Sequence, residues 1–377
     1  MNDTDSFSEA TFRAYAPHRA LWHGYFAGRE VHSIKRIEIQ EIAMWLPRLP
    51  VGFTKQGYTP AEAIEMAKSG HDLKPISNVL FNNYQRQING LLAYAEKLGF
   101  HDKNLSTLIE QRNTKKKDGR PSRLPFTIAD MSAMFNSAYL ASLGKGSRRT
   151  TFEARFWIPI IAAFSGARMD EICQLKVSDI MYDEGAGCYY MNIAGGDELA
   201  SDGRARKIKN TNSVRPIPIH PTLIEIGFIN YLKSMKGLGS EASLFKLERG
   251  SDDKFGGTVS KWFSRKGRSA GFIESCGIAS KGTYANNKEW SKCFHSFRHT
   301  VIDNLREESK RLPDGTRISE SDRALVVGHI DKKESSLETT HYGQGVSYMK
   351  LRMDVISQIS YPGVDFDAIK WPTVVQA

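Results

Sequence analysis

The stretch Cys293-Phe294-His295-Ser296-Phe297-Arg298-His299 decides how the last third of this chain folds. If residues 294–305 are helical, apolar residues recur at i, i+3, i+7 and i+11 and share one stripe that faces a core. The stripe consists of Phe294, Phe297, Val301 and Leu305. His295 and Arg298 then lie on a neighbouring face, where burying titratable and cationic groups costs free energy unless an anion uses them. The spacing therefore predicts a core helix with an anion-binding face.

A second group of polar residues follows this helix. Ser319 with Asp322 is typical of a capping-box start, and Gly328 is typical of a helix end. His329 would then stand just past that end, and Tyr342 follows on a polar segment. A collection of one arginine, two histidines and a tyrosine indicates chemistry on a phosphate.

The composition is that of an ordinary globular protein with an excess of cations. The chain has 377 residues, 40% hydrophobic and 25% charged, enough for two or three domains. A formal charge of +10 favours a polyanionic partner, although a merely soluble basic protein is the alternative. Four scattered cysteines without C-x-x-C spacing predict free thiols in a reducing compartment. They are Cys173, Cys188, Cys276 and Cys293.

The sequence favours a cytoplasmic protein over a membrane protein. The longest apolar run, residues 156–164, contains Pro159 and is too short to span a bilayer. Residues 1–20 carry acids and no hydrophobic block, so we expect no secretory signal.

The first 110 residues are predicted to be helical. Residues 1–58 form an N-terminal helical segment of unknown role, interrupted near Pro47, Pro50 and Gly52. Residues 59–110 form a second module, in which Thr59-Pro60 starts one helix and residues 76–98 make a strongly amphipathic one.

Residues 111–124 carry six cations against one acid and include glycine and proline. We predict a flexible basic linker able to lie along a phosphate backbone, and a solvated tether that binds nothing is the alternative. The cations predicted to contact DNA are Lys115, Lys116, Lys117, Arg120 and Arg123, together with Lys261, Arg265 and Lys266 of a later basic helix face.

Residues 125–345 are predicted to form a larger domain. Thr127 caps its first helix, residues 152–164 make a buried helix, and Arg168 lies near the start of another. Strands are predicted at 188–193 and in a hairpin of 206–209 with 214–219, and helices at 223–235 and 258–269. Residues 346–377 add a helix over 348–359 and a loose tail. The fold class is therefore mostly α with a small antiparallel β-sheet (α+β).

Four pieces stand in order along the chain: Arg168 with Glu171, the basic segment 209–218, His295-x-x-Arg298, and Gly328-His329 followed by Tyr342. In kind, order and spacing they resemble the tyrosine recombinase (phage integrase) family. The likeness covers residues 125–345 as that family's catalytic domain. It extends more weakly to residues 59–110, which look like its helical core-binding (SAM-like) domain.

The resemblance implies DNA strand exchange without metal, cofactor or external energy. Arg168 and Arg298 resemble the family's arginine pair, whose guanidinium forks bind the non-bridging oxygens of the scissile phosphate. Glu171 is implied to orient Arg168, and His295 to act as general base and later as acid.

The same resemblance implies that Tyr342 is the nucleophile, forming a 3′-phosphotyrosyl link. His329 would hydrogen-bond the scissile phosphate, and Lys209 would protonate the departing 5′ oxygen. The stretch from His329 to Tyr342 is longer than is usual in the family, so Tyr348 is a rival nucleophile. Lys207 likewise competes with Lys209.

Structural roles are the alternative for other residues. Arg168 could simply pair with Glu171 or Asp170. His299 is interpreted as a packing or capping residue outside the site, and His220 as a loop histidine. Trp157 and Trp262 are predicted to belong to the core, with support of the site as the alternative for Trp262.

The function implied is site-specific recombination that integrates or excises a phage or other mobile element. The partners expected are double-stranded DNA and three further copies in a tetramer, and a directionality factor is a further candidate. The 348–359 helix is a candidate subunit contact. The alternatives are a type IB topoisomerase-like or resolvase enzyme, and a non-catalytic DNA-binding regulator with the same fold.

Overall fold

The structure is a computed structural model that describes residues 15–26, 28–100, 105, 107–113, 121–147, 149–195, 198–206, 213–250, 253–265, 270–328 and 346–372. The chain divides into two compact units, Met1–Arg120 and Pro121–Ala377. The boundary lies inside the stretch predicted to be a linker. None of the helices in the described ranges is both long and apolar enough to cross a membrane.

The first unit is helical. Its helices are α1 (Ala16–Phe26), α2 (Arg36–Trp45), α3 (Pro60–Ser69) and α4 (Asn78–Lys97), with 3-10 turns at Val31–Ser33, Leu46–Arg48 and Phe53–Gln56. The Thr59 hydroxyl caps α3 by accepting from the Glu62 amide, and the Ser77 hydroxyl caps α4 by accepting from the Leu80 amide.

Residues 1–58 and 59–110 were predicted as separate segments, but their helices share one core. The indole N–H of Trp22 on α1 donates to the Tyr84 carbonyl on α4 at 3.2 Å. Ile39 and Ile42 of α2 are fully buried in the same cluster as Ile88 of α4. A single core is the reason that no structural division falls at residue 58.

The second unit combines helices with two small sheets. Its helices are α5 (Ile128–Met134), α6 (Tyr139–Ser142), α7 (Phe152–Ser165), α8 (Met169–Cys173), α9 (Pro221–Ile226), α10 (Phe228–Lys236), α11 (Gly257–Ser264), α12 (Phe272–Ser275), α13 (Ser296–Arg306), α14 (Glu320–Val327) and α15 (Val346–Ile356), with a 3-10 turn at Val177–Asp179. Strands β1 (Ile180–Asp183), β2 (Cys188–Ile193) and β3 (Arg215–Pro218) form one antiparallel sheet in the order β1-β2-β3. Strands β4 (Lys281–Thr283) and β5 (Glu289–Ser291) form a second antiparallel pair. The α+β class predicted from the sequence is confirmed.

Helix α7 is the centre of the second unit. Nearly all of its residues are buried, with Trp157 fully buried, and Gly166 ends it with φ of 62°. Helix α13 packs against α7 through its predicted stripe, in which Phe297 and Val301 are fully buried. The interpretation of residues 294–305 as a core helix is therefore confirmed.

Several local predictions differ from the structure. Strand β3 pairs with β2, and residues 207–212 of the predicted hairpin lie outside the described residues. Gly227, with φ of 110°, divides the predicted 223–235 helix into α9 and α10. His220 is no loop histidine but the buried N-cap of α9, and its Nε2 lies 3.0 Å from the Ile359 carbonyl oxygen.

The predicted loose tail is part of the core. Tyr361, Phe366, Ile369 and Trp371 are all buried in the main cluster. The Trp371 amide donates to the Ile226 carbonyl at 2.8 Å. The tail lacks helical periodicity, but its large aromatic side chains bury enough apolar surface to hold it in place.

Candidate active site

Arg168 reaches the candidate site from the junction of α7 and α8. It is the N-cap residue of α8, where its amide donates to Glu171 Oε2 at 2.9 Å. Its Nη1 donates to Glu171 Oε1 at 2.6 Å and to Ser213 Oγ at 3.1 Å. The side chain keeps 19% exposure, so the guanidinium is fixed on one side and open on the other.

Arg298 enters from the first turn of α13 and is 3% exposed. Its Nη1 donates to the Gly166 carbonyl at 3.0 Å, and its Nη2 donates to the Gly328 carbonyl at 3.4 Å. Both glycines end helices in the left-handed conformation, with φ of 62° and 68°. The ends of α7 and α14 therefore hold this guanidinium through backbone oxygens.

His295, the N-cap residue of α13, lies one turn before His299. Their rings meet edge to face with centroids 5.2 Å apart, and both are half-buried. Burial lowers the pKa of His295 to about 4, and repulsion from Arg123, His299, Arg298 and Arg168 adds to the effect. The imidazole of His295 is therefore neutral at pH 7 and able to accept a proton.

Among the described residues, positive charge exceeds negative charge around Glu171. Arg168, Arg215 and Arg298 all interact with its carboxylate. Burial lowers the pKa of Arg298 to about 9, and repulsion from Arg168 and Arg215 adds to it. An anion bound here would relieve that repulsion, so the geometry suits a phosphate held by guanidinium forks.

The structure brings together three residues that the sequence had singled out for catalysis, Arg168, His295 and Arg298, and the supporting residue Glu171. Lys209, His329 and Tyr342 lie outside the described residues, as do Lys207, Lys115, Lys116, Lys117, Arg120 and Lys266. Arg123, Lys261 and Arg265 are exposed, and Arg123 lies close enough to His295 to lower its pKa. Tyr348 is half-buried on α15.

Arg215 is a site residue that the sequence reasoning missed. It is 4% exposed on β3, and its Nη2 donates to Glu171 Oε2 at 3.1 Å. Strand alternation was the available signal, because Arg215 and the apolar Ile217 share one face and both are buried. In the described ranges, no group of three His, Cys, Asp or Glu side chains could hold a metal ion.

The sequence matches no protein-family model and no curated protein. By structure, the chain is similar to a lambda integrase (75–356) dimer bound to a COC′ core site, at 15% identity and a TM-score of 0.44, covering 91% of this chain and 92% of that one. It is also similar to the XerH site-specific recombinase bound to palindromic difH substrate, at 16% identity and a TM-score of 0.47, covering 88% and 74%. An integrase from mycobacterium phage Brujita aligns at 12% identity and a TM-score of 0.34, covering 96% and 99%. These proteins are integrases and a site-specific recombinase. At such low identity, roles can be assigned to individual residues of this chain only from its own geometry.

Proposed function

We propose that this protein is a site-specific DNA recombinase that cleaves and rejoins strands through a 3′-phosphotyrosyl intermediate. The observation that carries the proposal is the convergence of Arg168, Arg298 and the neutral His295 on a site with excess positive charge. Cleavage of a phosphodiester builds negative charge on the non-bridging oxygens, and fixed guanidinium groups stabilise that charge without reorganising.

In the proposed cleavage step, the Tyr342 oxygen attacks phosphorus and the bond from phosphorus to the 5′ oxygen breaks. His295 takes the proton of the phenol, and Lys209 gives a proton to the departing 5′ oxygen. Phosphate binding offsets the repulsion that Arg298 and Arg168 exert on His295, so its pKa rises and it becomes a stronger base in the complex. Rejoining reverses each transfer.

The sequence positions of His329 and Tyr342 support the proposed cleavage step. His329 directly follows Gly328, whose carbonyl accepts from Arg298. Tyr342 stands four residues before Val346, where α15 begins. Helix α15 packs against β3 and α14 near the site. Burial lowers the pKa of Arg352 on α15, and repulsion from Arg215 lowers it further.

We further propose that duplex DNA binds along Arg123, Lys261, Arg265 and the cations of 111–124. The reaction would serve integration or excision of a mobile element in the cytoplasm, with four subunits acting on two duplexes. Phosphate contacts of this kind position the duplex and carry little sequence information.

The test is a nicked suicide substrate taken from the junction between the mobile element and its host DNA. We expect a covalent protein–DNA adduct that Tyr342→Phe abolishes and that Tyr348→Phe, the matched control, retains. If Tyr348→Phe alone lost the adduct, the nucleophile would be Tyr348 on α15. DNA binding without any adduct would identify a non-catalytic regulator. Relaxation of supercoiled DNA without exchange between paired sites would identify a topoisomerase-like enzyme.

A further inference from the structure

We infer that Arg215 is a positioning residue that holds both guanidinium groups of the proposed phosphate site, an inference that rests on the proposed function. Each nitrogen of its own guanidinium donates to the protein. Nη2 donates to Glu171 Oε2 at 3.1 Å, Nη1 to the Ser213 carbonyl at 2.7 Å, and Nε to the Val326 carbonyl at 2.7 Å. With all three nitrogens engaged and 4% exposure, Arg215 acts on the site through its neighbours.

The first connection runs through Glu171 to Arg168. Glu171 Oε2 accepts from Arg215 and from the Arg168 amide, while Oε1 accepts from Arg168 Nη1 at 2.6 Å. Burial raises the pKa of this carboxyl, but Arg215 and Arg168 outweigh burial and hold it below its usual value. Without Arg215, burial would favour the neutral acid, which is a poorer acceptor for Arg168. The guanidinium of Arg298 on α13 also interacts with this carboxyl.

The second connection runs through the end of α14 to Arg298. Arg215 fixes the last turn through the Val326 carbonyl, and its guanidinium packs on Gly328. A Cβ at Gly328 would lie 2.9 Å from Arg215 Nη1 and 3.0 Å from its Cζ. The Gly328 carbonyl in turn accepts from Arg298 Nη2. Arg215 therefore determines where that carbonyl stands.

Arginine suits this position because one planar group donates in three directions. A lysine at 215 would keep the charge but present a single ammonium on a flexible stem. We expect the single ammonium to donate to Glu171 or to the Val326 carbonyl, but not to both at once. Arg215→Lys is therefore expected to lose the positioning of Arg168 and Arg298. Arg215→Met, which keeps most of the apolar stem and removes the charge, is expected to lose it as well.

The experiment compares these two variants with Arg249→Met in the full chain. Arg249 is a matched control because its side chain is 2% exposed and its Nε donates to Asp202 at 2.7 Å, outside the candidate site. Duplex affinity and the single-turnover cleavage rate constant at saturating DNA are measured separately. For both Arg215 variants we expect a fall in the rate constant on the order of 10²-fold, the cost of misplacing a catalytic group by about 1 Å. Their affinity should stay within about threefold of the parent, and Arg249→Met should cleave at the parent rate.

Two further measurements separate positioning from general stability. In a double-mutant cycle with Glu171→Gln, the combined loss should be smaller than the product of the single losses, because both changes act partly through one carboxylate. Carbon-13 NMR of the Glu171 carboxyl, assigned with Glu171→Gln, should show its pKa rising in Arg215→Met and unchanged in Arg249→Met.

The outcomes also separate this inference from the proposed function. If the parent cleaves DNA and Arg215→Met cleaves at the same rate, the inference is wrong and the recombinase proposal stands. If the parent forms no adduct, the recombinase proposal fails. The NMR titration then decides alone, since an unchanged Glu171 pKa in Arg215→Met would overturn the role of Arg215.

Discussion

Replacing Gly328 with alanine places a methyl group against the Arg215 guanidinium. Gly328 has φ of 68°, a backbone conformation that costs a residue with a Cβ about 1–2 kcal/mol. The new Cβ would also lie 2.9 Å from Nη1, 3.0 Å from Cζ and 3.0 Å from Nε of Arg215. Three hydrogen bonds hold that guanidinium, so it cannot move aside freely. Overpacking of this kind costs a further ~1–3 kcal/mol.

The chain offers a matched control for the backbone cost. Gly363 has φ of 83°, and a Cβ built there meets nothing within 4 Å. Gly363→Ala should therefore cost about 1–2 kcal/mol from backbone strain alone. The difference between the two variants isolates the contact with Arg215.

Differential scanning calorimetry of the full chain measures both effects on the transition of the second unit. In a unit of this size, 1 kcal/mol lowers the Tm by about 2–4 °C. We expect Gly328→Ala to melt at least ~2 °C below Gly363→Ala. Equal melting temperatures would show that Gly328 does not pack on Arg215, and Arg215 would then have no connection to Arg298 through α14.

Two further predictions concern stability. Burial lowers the pKa of His220 from 6.5 to about 4, so between these pH values the unfolded chain binds a proton that the folded chain rejects. The free energy of unfolding should therefore fall by up to about 3 kcal/mol as pH drops through this window. His220→Asn should reduce that fall in urea unfolding at pH 5 and pH 7 without abolishing it, because the lowered pKa of His295 acts in the same direction. An unchanged difference between the two pH values would contradict the assignment. Trp371→Ala should destabilise the second unit by about 3–5 kcal/mol, as for other buried aromatic residues. Leu238→Ala, which trims a side chain that is 59% exposed, should cost less than ~0.5 kcal/mol in the same measurement.

Local patterns were sufficient to predict the helices that position the site. The stripe through Phe297 and Val301, the Ser319 cap and the Gly328 stop each depend on neighbours within a few residues. The structure has all three where the sequence placed them. Arg168, His295 and Arg298 could be grouped because their order and spacing along the chain are distinctive.

Other features depend on contacts between distant residues, which no local pattern records. Strand alternation with Ile217 indicates that Arg215 is buried, but its partners Glu171 on α8 and Val326 on α14 lie far away in the sequence. The tail residues Tyr361 and Trp371 follow no helical or strand period, so their burial could not be recognised in advance.

The bonds that close the site join widely separated parts of the polypeptide. Arg298 and Gly166 are 132 positions apart, and the Tyr361 hydroxyl donates to the Ala163 carbonyl across 198 positions. At ribosomal speeds of about 5–20 residues per second, roughly 10–40 s pass between the synthesis of Ala163 and that of Tyr361. Until that interval ends, the apolar surface of α7 lacks part of the cover that it has in the finished protein. Newly made chains should therefore depend on chaperones, and fragments that stop before residue 361 should aggregate.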